Sequence, residues 1–214
     1  MKNRHIFIIL LFLNVILTIS IKFLFLDEDL YYLTFGNQLP AHRIDEMLEM
    51  SERWQWTGYA IIPVVIILRA FHTSLFLYTG LFFAELRAGY GKLFRIALLA
   101  EFVYVLAGFA KLVILIFFRE VSTLDDLQFQ PLSVMELFDK SQVDPLFIYP
   151  LSLLNFFELA YFMTLAWLLT GLIRQADTES PAGFGRSLRL VTASYGSGLL
   201  LWVILVMFVT LNLS

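Results

Sequence analysis

Long apolar runs alternate with short polar segments along this chain, and the runs have the length of membrane spans. The first covers 5–26, behind the basic head Met1-Lys2-Asn3-Arg4. At about 22 residues it can cross ~30 Å of hydrocarbon as a helix, and it is too long for a secretory-signal core. No small-x-small cleavage pattern follows; Phe23-Leu24-Phe25-Leu26 leads straight into Asp27-Glu28-Asp29, which predicts an uncleaved span. Runs over 58–83, 93–118, 145–173 and 187–213 predict four more spanning helices, with Pro63 and Pro150 near the starts of the second and fourth.

The polar segments carry weaker helical signals. Ile44, Met47, Leu48 and Ser51 recur at helical spacing between Asp45, Glu46, Glu49 and Glu52, predicting an amphipathic helix on the bundle or membrane surface. Trp54 and Trp56 then mark the interface where the second span enters. In the later segment, Ser133-Val134-Met135-Glu136 is a capping-box pattern and predicts a short helix through Leu137 and Phe138.

One stretch occurs twice. Ala88-Gly89-Tyr90-Gly91-Lys92-Leu93-Phe94-Arg95-Ile96 returns as Ala182-Gly183-Phe184-Gly185-Arg186-Ser187-Leu188-Arg189-Leu190. Each copy precedes an apolar run and follows another that holds Thr-Gly-Leu, at Thr79-Gly80-Leu81 and Thr170-Gly171-Leu172. The pattern predicts a duplicated helical hairpin with a basic, glycine-containing elbow. The expected chain is all-α, a polytopic integral membrane protein with five transmembrane helices. It comprises an N-terminal anchor helix (1–26), an outer amphipathic segment (27–57), a first hairpin (58–118), an outer segment with a short helix (119–144) and a second hairpin (145–214).

Composition agrees. Of 214 residues, 59% are hydrophobic and only 15% charged, with a mean hydropathy of +0.78. A soluble core of this size cannot absorb so much apolar surface, whereas a bilayer can. The absence of cysteine excludes disulfides, thiolate metal sites and thiol catalysis. Of the three histidines, His72 alone lies well inside an apolar run, so a zinc site of ordinary type is not expected, nor any cofactor.

Charge sets the expected orientation. With the N-terminus inside, the cytoplasmic pieces hold Lys2, Arg4, Arg87, Lys92, Arg95, Arg174, Arg186 and Arg189. The outer pieces hold Arg43, Arg53, Arg119 and Lys140, together with most of the carboxylates. The positive-inside bias therefore predicts a cytoplasmic N-terminus, an external C-terminus and both glycine elbows at the cytoplasmic face. The two hairpins then share one orientation, a parallel repeat about an axis along the membrane normal.

Ionisable residues inside the apolar runs are the first candidates for chemistry, because placing them in hydrocarbon is costly. They are Arg69, Glu101, Lys111 and Glu158. Arg69 and Glu158 fall at similar expected depth and are positioned to pair across the second and fourth spans. His72 lies a turn beyond Arg69, Asn155 shares a face with Glu158, and Lys111, in the outer third, is placed to snorkel outward. This polar set is either a path or binding site between the hairpins or a buried register-fixing pair.

Other motifs carry less. Tyr195-Gly196-Ser197-Gly198 lacks the glycine spacing and later histidine of an intramembrane serine protease. Thr192, Ala193, Ser194, Gly196, Ser197 and Gly198 read better as a small-residue packing face. There is no zinc-protease helix, phosphate loop, dinucleotide fingerprint or nucleic-acid surface. The basic elbow residues Arg87, Lys92, Arg95, Arg174, Arg186 and Arg189 are topology determinants, or contacts for anionic lipid or a cytosolic partner.

At the elbows, glycine-x-glycine followed by a basic residue and a helix-opening run, clearest in Ala182 to Tyr195, resembles the bacterial members of the Yip (Ypt-interacting protein) membrane family. The resemblance covers roughly 58–213. It implies five helices, an outward C-terminus and no catalytic residues. The chain lacks the long cytoplasmic N-terminal region of eukaryotic members, where partner contacts are expected. The leading expectation is a non-enzymatic scaffold or accessory subunit in a bacterial cytoplasmic membrane, with the lipid bilayer and a membrane-protein partner or second copy as its contacts. The alternative is a small transporter or channel subunit using Arg69, Glu101, Glu158 and His72.

Overall fold

The structure is a computed structural model in which residues 3–176 and 183–213 are described. Its helices are α1 (Asn3–Phe25), α2 (Glu28–Phe35), α3 (Ala41–Phe83), α4 (Tyr90–Ala100), α5 (Phe102–Phe117), α6 (Pro145–Leu153), α7 (Phe156–Ala176) and α8 (Phe184–Leu213). Five stretches are long and apolar enough to cross a membrane: Asn3–Phe25, Ala41–Phe83, Tyr90–Phe117, Phe156–Arg174 and Phe184–Asn212. The all-α, five-span expectation holds, and the boundaries change in instructive ways.

The amphipathic segment and the second span form one helix, α3, of 43 residues. Nothing between Ser51 and Gly58 stops the helix, and Pro63 inside it removes only one backbone hydrogen bond. At about 65 Å, it is roughly twice the hydrocarbon thickness, so its N-terminal part projects beyond the bundle. The projecting part is held by α2, which the hydrophobic pattern did not reveal. Asp27 caps α2 by accepting from the Leu30 N–H; Tyr32 donates to Asp45 at 2.6 Å, and Tyr31 and Ser51 share a 3.1 Å hydrogen bond.

The loop after α5 completes a cap over this end. Arg119 pairs with Glu136 at 2.9 Å and Asp126 at 3.9 Å and lies 4.5 Å over the Phe129 ring. The Thr34 hydroxyl accepts from the Leu124 N–H, and Leu30, Leu115, Leu127 and Phe129 are buried together.

The fourth span is broken. α6 and α7 part at Leu154–Asn155, where the Asn155 side chain accepts from the Glu158 N–H at 2.8 Å and caps α7. Backbone freed by the break is satisfied by the loop: Val134 donates to Leu154 and Phe156 donates to Leu132. Leu132 takes the left-handed φ of 57° to deliver this pairing. The expected Ser133 capping box is therefore absent. Ser133 pairs with Asn155 as an antiparallel bridge, its hydroxyl has no partner, and Val134–Leu137 is a single 3₁₀ turn.

At the other end, α3 stops in a tight reversal. Leu86 donates back to Leu81 and Glu85 to Phe82, with Glu85 at φ 58° where glycine is the usual occupant. Most of the second elbow, 177–182, lies outside the described residues, and so does the comparison of the two elbows on which the duplicated-hairpin expectation rests.

Two apolar clusters hold the spans. Ile6 and Leu10 of α1 pack with Ile66, Ala70, Ala97, Leu98 and Val105. Leu77, Leu93, Ile96, Leu165, Leu169 and Val191 centre the other, between α3, α4, α7 and α8. α3 and α8 run antiparallel and approach closely at small residues. A Cβ on Gly80 would lie 2.3 Å from Ser194 Cβ, and one on Gly198 would lie 2.6 Å from the Phe76 ring. Two members of the expected small-residue face, Ser194 and Gly198, thus meet α3. Gly171, the sequence counterpart of Gly80, has nothing within 4 Å.

Gly80→Ala should lower stability by about 1–3 kcal/mol through overpacking, while Gly171→Ala should leave it unchanged or slightly raised; thermal melts in detergent separate the two. The cap gives a second expectation. Partial burial works against the charge of Asp126, but the Thr123 hydroxyl, the Ser122 and Thr123 N–H groups and Arg119 together outweigh it and hold the carboxyl below the ordinary aspartate range. A depressed pKa contributes stability above the unfolded value, about 3.9, that is lost as pH falls through the folded value. Wild type should therefore melt above Asp126→Asn at neutral pH, and the gap should narrow as pH falls through and below the ordinary aspartate range.

Candidate functional site: a carboxylate and tyrosine network

Four of the spanning segments bring polar side chains to one place. α3 supplies Arg69 and, one turn on, Thr73. The turn between α4 and α5 supplies Glu101, with Tyr104 one turn later; α7 supplies Glu158 and Tyr161, and α8 supplies Tyr195. Glu101 and Glu158 are buried, at 1% and 7% exposure.

Each carboxylate is taken up by partners from other segments. Glu101 pairs with Arg69 at 2.5 Å, and the Tyr161 hydroxyl reaches its second oxygen at 3.5 Å. Glu158 accepts from Tyr104 and from Tyr195, both at 2.8 Å. The tyrosine of each Glu-x-x-Tyr segment thus serves the glutamate of the other. Thr73 and Tyr161 share a 3.0 Å hydrogen bond, and the Arg69 guanidinium lies 4.1 Å from the Tyr104 ring centre. The three tyrosines are in ring contact, Tyr104 with Tyr161 at 4.8 Å and Tyr161 with Tyr195 at 5.3 Å.

The expected Arg69–Glu158 pair is not formed. Its depth estimate assumed an unbroken fourth span, and the break at Asn155 places Glu158 in the first turn of α7 instead. Arg69 turns to Glu101, and Glu158 is satisfied by hydroxyls and by its position at a helix N-terminus, where unpaired N–H groups favour negative charge. Asn155 is a cap, not a wall of a site. His72 stands outside the network, its ring 4.7 Å from Phe76 and 6.4 Å from Trp202 on the α3–α8 seam. Lys111 is half-buried with its ammonium 5.3 Å from the Phe129 ring centre, folded against the cap.

Tyr104, Tyr161, Tyr195 and Thr73 were not expected. The signal for two of them was present in Glu101-Phe102-Val103-Tyr104 and Glu158-Leu159-Ala160-Tyr161, a repeated glutamate and tyrosine one helical turn apart. The basic residues gather at the elbow end, all exposed: Arg87 in the first elbow, Lys92 and Arg95 on α4, Arg174 on α7, and Arg186 and Arg189 on α8.

Two cavities open elsewhere. One of about 360 Å³ lies at the first elbow between Tyr78, Phe82 and Arg87; one of about 400 Å³ lies under the cap beside Lys111. No network residue lines either. Among the described residues no group of three His, Asp or Glu side chains is placed to hold a metal ion. Fold and site together define a five-span, all-α multi-pass membrane protein with a hydrogen-bonded polar centre. No protein-family model matches the chain, and no curated protein or solved structure matches it.

A double-mutant cycle tests the pairing. Arg69→Met and Glu101→Leu should couple by about 1–2 kcal/mol, whereas Arg69→Met and Glu158→Leu should couple by less than about half of that. Equal couplings would restore the pairing expected from sequence.

Proposed function

We propose that the protein is a non-enzymatic membrane scaffold or accessory subunit that organises a partner complex or lipids. The observation that supports this reading is the closure of the polar centre. Both carboxylates are bound by side chains of neighbouring segments, and neither cavity reaches them. A network spent on its own members fixes how the spans pack and leaves the outer surfaces for contacts. Those surfaces differ in character, with an acidic cap at one end and exposed Arg87, Lys92, Arg95, Arg186 and Arg189 at the other. We place the basic end in the cytoplasm of a bacterial cell, with the N-terminus inside and the C-terminus outside. The Yip-like elbows and the duplicated hairpin belong to the same reading, and a membrane-protein partner or second copy is its expected companion.

A transporter or channel subunit is the second reading. The broken α6–α7 span favours it, because discontinuous helices often flank transport sites. So does Arg69, whose side chain is 39% exposed and whose Nε has no hydrogen-bond partner.

Purification from native membranes in mild detergent, followed by mass spectrometry, should recover a stoichiometric partner or a homo-oligomer. Arg69→Ala should then reduce folded yield and the recovered assembly together. Ion or solute flux in proteoliposomes that Arg69→Ala abolishes without loss of folded protein would overturn the scaffold reading.

A further inference from the structure

Of the four charged residues expected inside the apolar runs, Arg69, Glu101, Lys111 and Glu158, Lys111 is the one the polar centre does not use. It sits six residues before the end of α5, about 9 Å from the helix terminus, near the cap end of that span. Its ammonium lies against the Phe129 ring, and among the described residues no carboxylate stands within ion-pair distance of it. Glu136, the acid that acts on it, serves Arg119, and Asp139 and Asp144 accept from the Ser141 and Leu146 N–H groups. Lys140 adds a second cation close by, tied to the Gln128 carbonyl at 2.5 Å.

This cation faces the cavity of about 400 Å³ between α5, α6 and the cap. Gln128, Gln130, Tyr149 and Ser152 supply polar groups around it, and Phe129 and Ile148 supply apolar wall. Tyr149 accepts from the Trp202 indole N–H at 2.8 Å, an arrangement that leaves its own proton to donate to a ligand. Exposed Phe117, Phe118 and Phe147 give this end of the bundle an apolar outer surface. The lining residues carry one cation, Lys111, and no carboxylate, and that charge beside neutral donors and an apolar wall suits an amphiphilic anion.

We propose that this cavity binds the phosphate of an anionic phospholipid, with Lys111 as the charged contact. The head group lies in the cavity, its phosphate oxygens taking hydrogen bonds from Lys111 and Tyr149, while its acyl chains run down the apolar faces of α5 and α6. The site goes beyond the scaffold reading and holds equally for a transporter.

The test uses the whole protein, purified in mild detergent and examined by native mass spectrometry after addition of phosphatidylglycerol, phosphatidylcholine or inorganic phosphate. Wild type should retain phosphatidylglycerol in preference to phosphatidylcholine. Lys111→Gln should lower that retention about fivefold, the loss expected for one interfacial lysine, with an unchanged melting temperature as evidence of folding. Tyr149→Phe should lower it to a smaller extent. Equal retention of phosphatidylglycerol by wild type and Lys111→Gln would overturn the proposal. So would inorganic phosphate competing fully with the lipid at equal concentration, because the site would then be one for free anions.

Discussion

The constraint on which the rest depends is the cost of a carboxylate in an apolar interior. Glu101 and Glu158 are both buried, and among the described residues only Arg69 is near enough to offset either by a direct ion pair. Hydrocarbon supplies no hydrogen bonds, so the remaining oxygens must be satisfied by the protein. Tyrosine suits the task, since its ring packs like an apolar side chain while its hydroxyl donates. Three tyrosines on three segments deliver those donors, and each is useful only when its helix is in register with the carboxylate. The network therefore constrains relative position, while a buried charge pair is by itself weak evidence of added net stability. In lipid, where apolar burial does not by itself draw helices together, such specification matters more than in water.

Both carboxylates also stand at irregularities in the helices that carry them. Glu101 occupies the turn between α4 and α5, and Glu158 the first turn after the α6–α7 break. The break is costly only if its backbone groups go unpaired, and residues 132–134 pair them. The cap is consequently part of the transmembrane architecture. Without the loop at Ser133, the start of α7 would have no fixed place, and Glu158 would lose its alignment with Tyr104 and Tyr195. The α3–α8 seam sets the remaining register: Gly80 against Ser194, Phe76 against Gly198 and His72 near Trp202 advance by one turn on each helix.

Hydropathy made the spans legible because the apolar runs are long and the charges that interrupt them are few. What joined them was harder to see. Leu153-Leu154-Asn155-Phe156 reads as uninterrupted apolar helix, since the break is imposed by a tertiary contact with a loop distant in sequence. An assumption of continuity then misplaced Glu158 and paired it with Arg69. α2 escaped because Glu28–Phe35 is too short and too mixed to show a clear period. α3 was divided because a change from polar to apolar composition suggests a boundary, although no residue there terminates a helix. The tyrosines of the network were passed over because tyrosine in a membrane protein is ordinarily an interface anchor. Only its spacing from glutamate, repeated in Glu101/Tyr104 and Glu158/Tyr161, distinguished these.

The long α3 joins these features mechanically. Its projecting N-terminal part is fastened to α2 through Asp45 and Ser51, its middle carries Arg69 into the polar centre, and its C-terminal part closes on α8 at Gly80. A helix is stiff along its axis, so a displacement at the cap shifts Arg69 and Thr73 relative to their partners unless the helix bends. Pro63, which removes one hydrogen bond between the two attachments, is where bending costs least. The cap and the polar centre are thereby fixed to one helix, with its proline between the two attachments.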